Sequence, residues 1–242
     1  SSKNEINWND EIVPFEMERY QRLFEDVKEY LQDQSVYIQD CFAGSEASCR
    51  IPLRIITQNA WRNLFVRHMF PHATDEEMKS FFPEYTLVHI PGYKVSGFRD
   101  PSIPDNLILI NMLKKLILVV GASSSNATRK AIFLTLSFVL PKNDMIPVRC
   151  SANKADDGSL FLFFGGNRAL KNSLCCNTNH AFFGDDCHGW TQTGFTNIEW
   201  GCRTPVDGLD PGQDPEIHSA TRKFSTIVEN ADVSARRRIL FE

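Results

Sequence analysis

Apolar side chains Phe15, Tyr20, Leu23, Phe24, Val27, Tyr30 and Leu31 recur mainly at steps of three and four, with charged residues between them. That period predicts an amphipathic helix over residues 15–32 that lays one face on a sheet. Residues 36–39 and 53–57 are apolar and rich in β-branched side chains, and read as strands. Asn59 stands at the N-cap of a helix that carries Trp61, Leu64, Phe65 and Met69. Thr74 before Asp75, Glu76 and Glu77 opens a short helix whose acidic first turn suits the free N–H groups there. Residues 85–90, 107–111 and 116–120 read as strands, the last two as a hairpin turning at Leu113-Lys114-Lys115. A helix over 127–140 is expected to stop at Pro141.

Pro141-Lys142-Asn143-Asp144 is the best linker, a polar break between a buried helix and a new series of strands, so domains are expected at 1–144 and 145–242. Residues 92–105 and 204–214 are Gly/Pro-rich loops; Asp214-Pro215-Glu216 starts a helix expected to run to Phe224, with a strand over 225–228. The class is mixed α/β with sheet strands in both halves and no internal repeat.

Composition changes this picture little. The chain has 242 residues, 42% hydrophobic, enough for one large or two small cored units. A net charge of -4 and a pI near 5.9 offer no basic excess for phosphates, which argues against nucleic acid as the main partner. Arg236-Arg237-Arg238 is the exception and reads as a solvated or partner-facing tail. No apolar run reaches the ~20 residues of a membrane span. No signal peptide is recognisable, although a chain that had lost a transit peptide would look the same. Seven cysteines at irregular spacing favour reduced thiols, hence a reducing compartment, the cytoplasm or an organelle matrix such as the mitochondrial one. Cys175, Cys176, His180, Cys187 and His188 are soft-ligand types, but their spacing fits no two-plus-two zinc pattern and they read as structural.

The most informative stretch is 160–190, LFLFFGGNRALKNSLCCNTNHAFFGDDCHGW. An apolar strand runs into Gly165 and Gly166, Lys171 follows, and a second apolar strand ends at Asp185 and Asp186. Strand, loop, lysine and second-strand carboxylate are the parts of a nucleoside-triphosphate site. A phosphate cradle needs glycines so that backbone N–H groups can approach the anion, yet Asn167, Arg168, Ala169 and Leu170 fill this loop. Where a hydroxyl should reach Mg²⁺ after the lysine stands Asn172.

The runs VYIQDCFAG and RIPLRIITQNAWRNLFVRHMF within residues 36–70, RCSAN at 149–153, FFGG followed by Lys171, GDDCHGW at 184–190 and NIEWGC at 197–202 resemble, in order and spacing, the ATP-dependent phosphoenolpyruvate carboxykinases. The resemblance covers nearly the whole chain. It implies a mixed-sheet carboxykinase-like N-terminal domain and a partial, P-loop-like nucleotide-binding domain. Active members turn oxaloacetate and ATP into phosphoenolpyruvate, CO2 and ADP, with Mg²⁺ on the nucleotide and a second divalent ion at the substrate.

Carried over position by position, the resemblance keeps Gly165, Gly166 and Lys171 as vestigial nucleotide contacts and Asp185 and Asp186 as vestigial metal ligands, with the metal site expected to stand empty. Two loop glycines become Arg168 and Leu170, and the Mg²⁺-binding threonine becomes Asn172. The substrate-side tyrosine is Ser124, its two lysines are Arg129 and Lys130, and a later phosphate-binding lysine is Pro205. The metal-ligating histidine is Arg149, whose guanidinium has no lone pair to give. Arg129, Lys130 and Arg149 are therefore vestigial catalytic positions, and no cofactor is expected.

Segments that the family carries before and after this sequence are lacking, and strand edges and apolar faces left bare by them would need covering. The expectation is a non-catalytic, pseudoenzyme-like accessory or scaffold subunit of a multi-subunit protein complex, docked in part through its end, Ser234 to Glu242. The alternative is a residual nucleotide- or metal-binding regulatory protein, or an enzyme of altered chemistry derived from the carboxykinases.

Overall fold

A computed structural model describes residues 5–47, 50–95, 103–176, 179–232, 234–235 and 239, and not the side chain of Arg168. The chain divides into two units, residues 1–146 and 147–242.

The first unit is a five-stranded mixed sheet of order β1-β2-β3-β5-β4, formed by β1 (Tyr37–Ala43), β2 (Ile51–Thr57), β3 (Tyr85–Ile90), β4 (Leu107–Asn111) and β5 (Leu116–Val120). β2, β3 and β5 run parallel, while β1 and β4 pair antiparallel at the edges. β5 lies inside the sheet and reads Leu-Ile-Leu-Val-Val; Ile117 to Val120 are fully buried, as expected of a strand covered on both faces. β1 is longer than residues 36–39 because Asp40 to Ala43 zip against Ile51 to Arg54. There Arg54 holds Asp40 in a two-pronged ion pair at 2.8 and 2.7 Å.

Helix α1 (Met17–Leu31) buries Tyr20, Leu23 and Val27 against Ile90, Leu109, Leu118 and Val120. Tyr93, Val95 and Ile103 join this core, so the Gly/Pro-rich loop expected at 92–105 contributes packing; residues 96–102 lie outside the described residues. Asn59 caps α2 (Ala60–Met69) by accepting from the Trp61 N–H, and Thr74 with Glu77 forms a capping box on α3 (Asp75–Met78). α2 turns Phe65, Val66 and Met69 inward and leaves Leu64 exposed. α4 (Asn126–Val139) ends just before Pro141, as expected. The chain tightens into a 3-10 turn over Leu140–Asn143, in which a missing proline N–H costs nothing, and Asp144 closes it at φ 55°.

The second unit holds two three-stranded sheets. β6 (Ile146–Arg149), β10 (Cys187–Trp190) and β11 (Phe195–Asn197) form one, in the order β11-β10-β6. β7 (Ser151–Lys154), β8 (Leu160–Phe163) and β9 (Ala181–Gly184) form the other, with β7 in the middle and antiparallel to both neighbours. α5 (Arg168–Cys176) links β8 to β9. The helix expected over 214–224 is the six-residue α6 (Pro215–Ala220), followed by turns, and no strand forms at 225–228. That segment finds no partner strand in the described residues, and β-propensity without pairing does not make a strand.

Among the described residues no helix is long and apolar enough to cross a membrane. Among the described cysteines, Cys41, Cys150, Cys175 and Cys187 are buried, Cys176 is half-buried and Cys202 exposed. The proposed tail contacts at 236–238 and 240–242 lie outside the described residues.

Candidate functional site

Two bends carry the chain between the sheets of the second unit. β6 leads through Cys150 into β7, and β9 leads through Asp185 and Asp186 into β10. The Cys150 N–H donates to the Asp186 carbonyl at 3.1 Å and ties one bend to the other. Arg149, the last residue of β6, is thereby set beside Asp186. Its Nε donates to Oδ1 at 3.0 Å and its Nη2 to Oδ2 at 2.9 Å, a bidentate pair. Asp186 is 4% exposed, whereas the Arg149 side chain keeps 56% of its surface.

Asp185 is held by other groups. Its Oδ2 accepts the backbone N–H of Arg203 at 3.0 Å, and its carbonyl lies 3.2 Å from the Ser151 hydroxyl. The same hydroxyl donates to Asn172 Oδ1 at 2.7 Å, and Asn172 Nδ2 donates to the Arg203 carbonyl at 3.3 Å. Asn172 is fully buried, so its amide serves as a structural bracket under α5. Ser151 and Asn153 alternate on β7 and both reach α5, Asn153 through the Cys175 carbonyl at 3.0 Å.

At the start of α5, Asn167 accepts from the Leu170 N–H through Oδ1 at 3.0 Å, and its carbonyl accepts the Lys171 N–H. One N–H that a phosphate could use is therefore capped from within. Gly165 sits at φ 157° with the Lys171 stem beside it, and Gly166 has open space where a Cβ would stand. The Lys171 ammonium makes no hydrogen bond or ion pair with the described residues. Burial pushes the Cys150 thiol up to about 11, although the positive charge of Lys171 pulls the other way.

His188 is buried with Nδ1 3.7 Å from Cys150 Sγ and its ring stacked on Phe195. Burial lowers its pKa to about 4, so it is neutral. A Cβ on Gly184 would fall 2.6 Å from both His188 Nε2 and Asn197 Oδ1, which explains the glycine before the acidic pair.

The structure thus brings together Arg149 with Asp186, Lys171 with Gly165, and Asp185 with Asn172 through Ser151 and Arg203. Arg129 and Lys130 belong to the first unit, where Arg129 is buried and Lys130 is exposed with Glu11 at 3.8 Å. Ser151, Asn153 and the N–H of Arg203 were not singled out from the sequence. The alternation of polar residues on β7 was the available signal for the first two, and a backbone N–H carries none.

Among the described residues no three His, Cys, Asp or Glu side chains stand together as metal ligands, the Cys175 to His188 set included. The divalent ion that the resemblance implies at Asp186 does not fit the residues present, because Arg149 covers both carboxylate oxygens and offers no lone pair. A nucleotide fits in part. Lys171 and the open Gly165-Gly166 turn suit phosphate, whereas Asn172 has no hydroxyl for Mg²⁺.

The chain matches the phosphoenolpyruvate carboxykinase family profile over residues 1–242. It is 38% identical over 238 residues to the phosphoenolpyruvate carboxykinase (ATP) of Geobacter sp. (strain M21), covering 98% of this chain and 45% of that protein. It is 36% identical to that of Pelobacter propionicus over 96% of this chain and 44% of the relative, and 36% identical to that of Deinococcus radiodurans over 95% and 49%. The chain spans about half the length of the curated relatives it matches. These findings overturn the expected non-catalytic scaffold, with its pseudoenzyme and accessory-subunit readings. The relatives matched along nearly all of the chain are enzymes by name. A covering partner does not follow from where the sequence begins and ends, because the chain spans about half of its relatives. This chain belongs to the phosphoenolpyruvate carboxykinase family.

Proposed function

We propose that this chain is part of an enzyme of altered chemistry derived from the ATP-dependent phosphoenolpyruvate carboxykinases, which holds a nucleoside triphosphate through Lys171 beside the Gly165-Gly166 turn. On this reading residues 1–144 correspond to the family's N-terminal domain and 145–242 to a degenerate part of its nucleotide-binding domain. Arg129, Lys130 and Arg149 stand at its catalytic positions, and Asp185 and Asp186 at its metal-binding carboxylates. The observation that carries the proposal is Lys171, a cation with no counter-ion in the described residues, set against a glycine turn with open space over it. Such a charge is placed to meet the β- and γ-phosphates, and positioning with electrostatics is most of what phosphoryl transfer asks of a protein. The altered chemistry is supported by Asn172 and Arg149, whose polar groups are turned to the protein where a Mg²⁺ hydroxyl and a metal-ligating imidazole would be wanted.

The test is calorimetric titration of ATP into the full-length polypeptide and its Lys171→Met variant. Loss of one charge-assisted contact, about 1.5–3 kcal/mol, should weaken binding roughly 10- to 150-fold. ATP that fails to bind, or binds both proteins alike, would sink the nucleotide reading. Oxaloacetate-dependent phosphoenolpyruvate formation at ~1 s⁻¹ or faster would instead restore the unaltered family reaction.

A further inference from the structure

The fixed partner of Asp186 has a consequence that does not depend on nucleotide binding. A carboxylate that is 4% exposed needs a cation or several hydrogen bonds to remain ionised, since burial disfavours its charge. Both of its oxygens are met by Nε and Nη2 of Arg149, in the fork geometry in which guanidinium binds carboxylate best. The fork is anchored by backbone on both sides. Arg149 ends β6, Asp186 precedes β10, these strands are neighbours in one sheet, and the Cys150 N–H fixes the Asp186 carbonyl.

We infer that the Arg149 guanidinium is the built-in cation of this site, occupying the carboxylate that would otherwise recruit a divalent ion, so that the acidic bend works without a metal. A metal ion at Asp186 would have to displace a bidentate partner held by the fold. It would also have to share the bend with a permanent positive charge that cannot be shed by deprotonation. Asp185 offers no easy substitute, because its Oδ2 is engaged by the N–H of Arg203.

The experiment uses the full-length polypeptide without nucleotide and follows the electron paramagnetic resonance signal of free Mn²⁺. The wild-type protein should leave that signal undiminished at stoichiometric Mn²⁺. Arg149→His frees both oxygens and adds a lone-pair donor; it should bind Mn²⁺ stoichiometrically, and adding Asp186→Asn should abolish the binding. Arg149→Met, which frees the carboxylate without adding a ligand, should take up Mn²⁺ more weakly than Arg149→His. Near-UV circular dichroism checks that each variant is folded. Stoichiometric Mn²⁺ on the wild type, lost on Asp186→Asn, overturns the inference, as does a folded Arg149→His that binds none. If neither Arg149 variant folds, the wild-type titration and its Asp186→Asn control decide alone. Because nucleotide is left out, failure here leaves the Lys171 reading standing, and the reverse holds as well.

Discussion

His89 is a buried base with both ring nitrogens engaged, Nε2 at 2.9 Å from the Ala122 carbonyl and Nδ1 at 2.9 Å from the Thr128 hydroxyl. Nε2 must donate to the carbonyl, and because burial keeps the ring neutral, Nδ1 accepts from the Thr128 hydroxyl. Burial drives its pKa from 6.5 down to about 4, with the Ala122 bond opposing the shift. Between those values the unfolded chain binds a proton that the folded one refuses, so this group withdraws stability as the pH falls from 6.5 to 4. The loss amounts to about 3 kcal/mol once acidification is complete. His89→Gln should lower stability at pH 7 yet flatten this acid limb, and melting curves that fall in parallel for both proteins would defeat the assignment. Reading single residues off the sequence picks out Arg149, Lys171 and the Asp185-Asp186 pair, whose types stand out for their places. It failed for Arg203, because what reaches Asp185 is a main-chain N–H aimed by the fold around it.

Elements were legible where local chemistry decides them. Asn59 and Thr74 mark helix starts by side-chain capping, and β3, β4 and β5 fall at the residues their apolar runs indicate. Tertiary choices were not legible: β1 gains Asp40 to Ala43 only by pairing with β2, and residues 225–228 stay unpaired. Two glycines show how such choices are enforced at element ends. Gly121 closes β5 at φ 69°, and a Cβ there would lie 1.8 Å from the Asp105 carbonyl oxygen. Gly158, between β7 and β8, has φ 88° but nothing within 4 Å. Gly158→Ala should therefore cost only the backbone strain, roughly 1 kcal/mol, and Gly121→Ala at least about 3 kcal/mol because backbone must move as well. Equal losses in denaturant titrations would mean that the close approach of Asp105 does not constrain the end of β5.

Across the chain, order is spread unevenly, and the cause is where backbone groups find partners. β3 and β5 are flanked by strands on both sides, with Leu87, Ile90 and Ile117 to Val120 at 0–1% exposure. Exchange of their N–H groups requires opening the sheet together with the α1 core that rests on it. Residues 203–232 are built otherwise, from turns and the short α6, with Phe224 almost fully exposed and with side-chain anchors such as Arg203 to Glu229 at 3.2 Å. A six-residue helix is too short to be stable by itself, and little buried apolar surface holds it. Native-state hydrogen exchange should find the slowest amides in β3 and β5. The fastest, among the described residues with backbone bonds, should lie at 215–228, where local fraying suffices. Protection at 215–228 equal to that of the central strands would mean that this segment is covered by contacts beyond those described, and the account of its stability would fall.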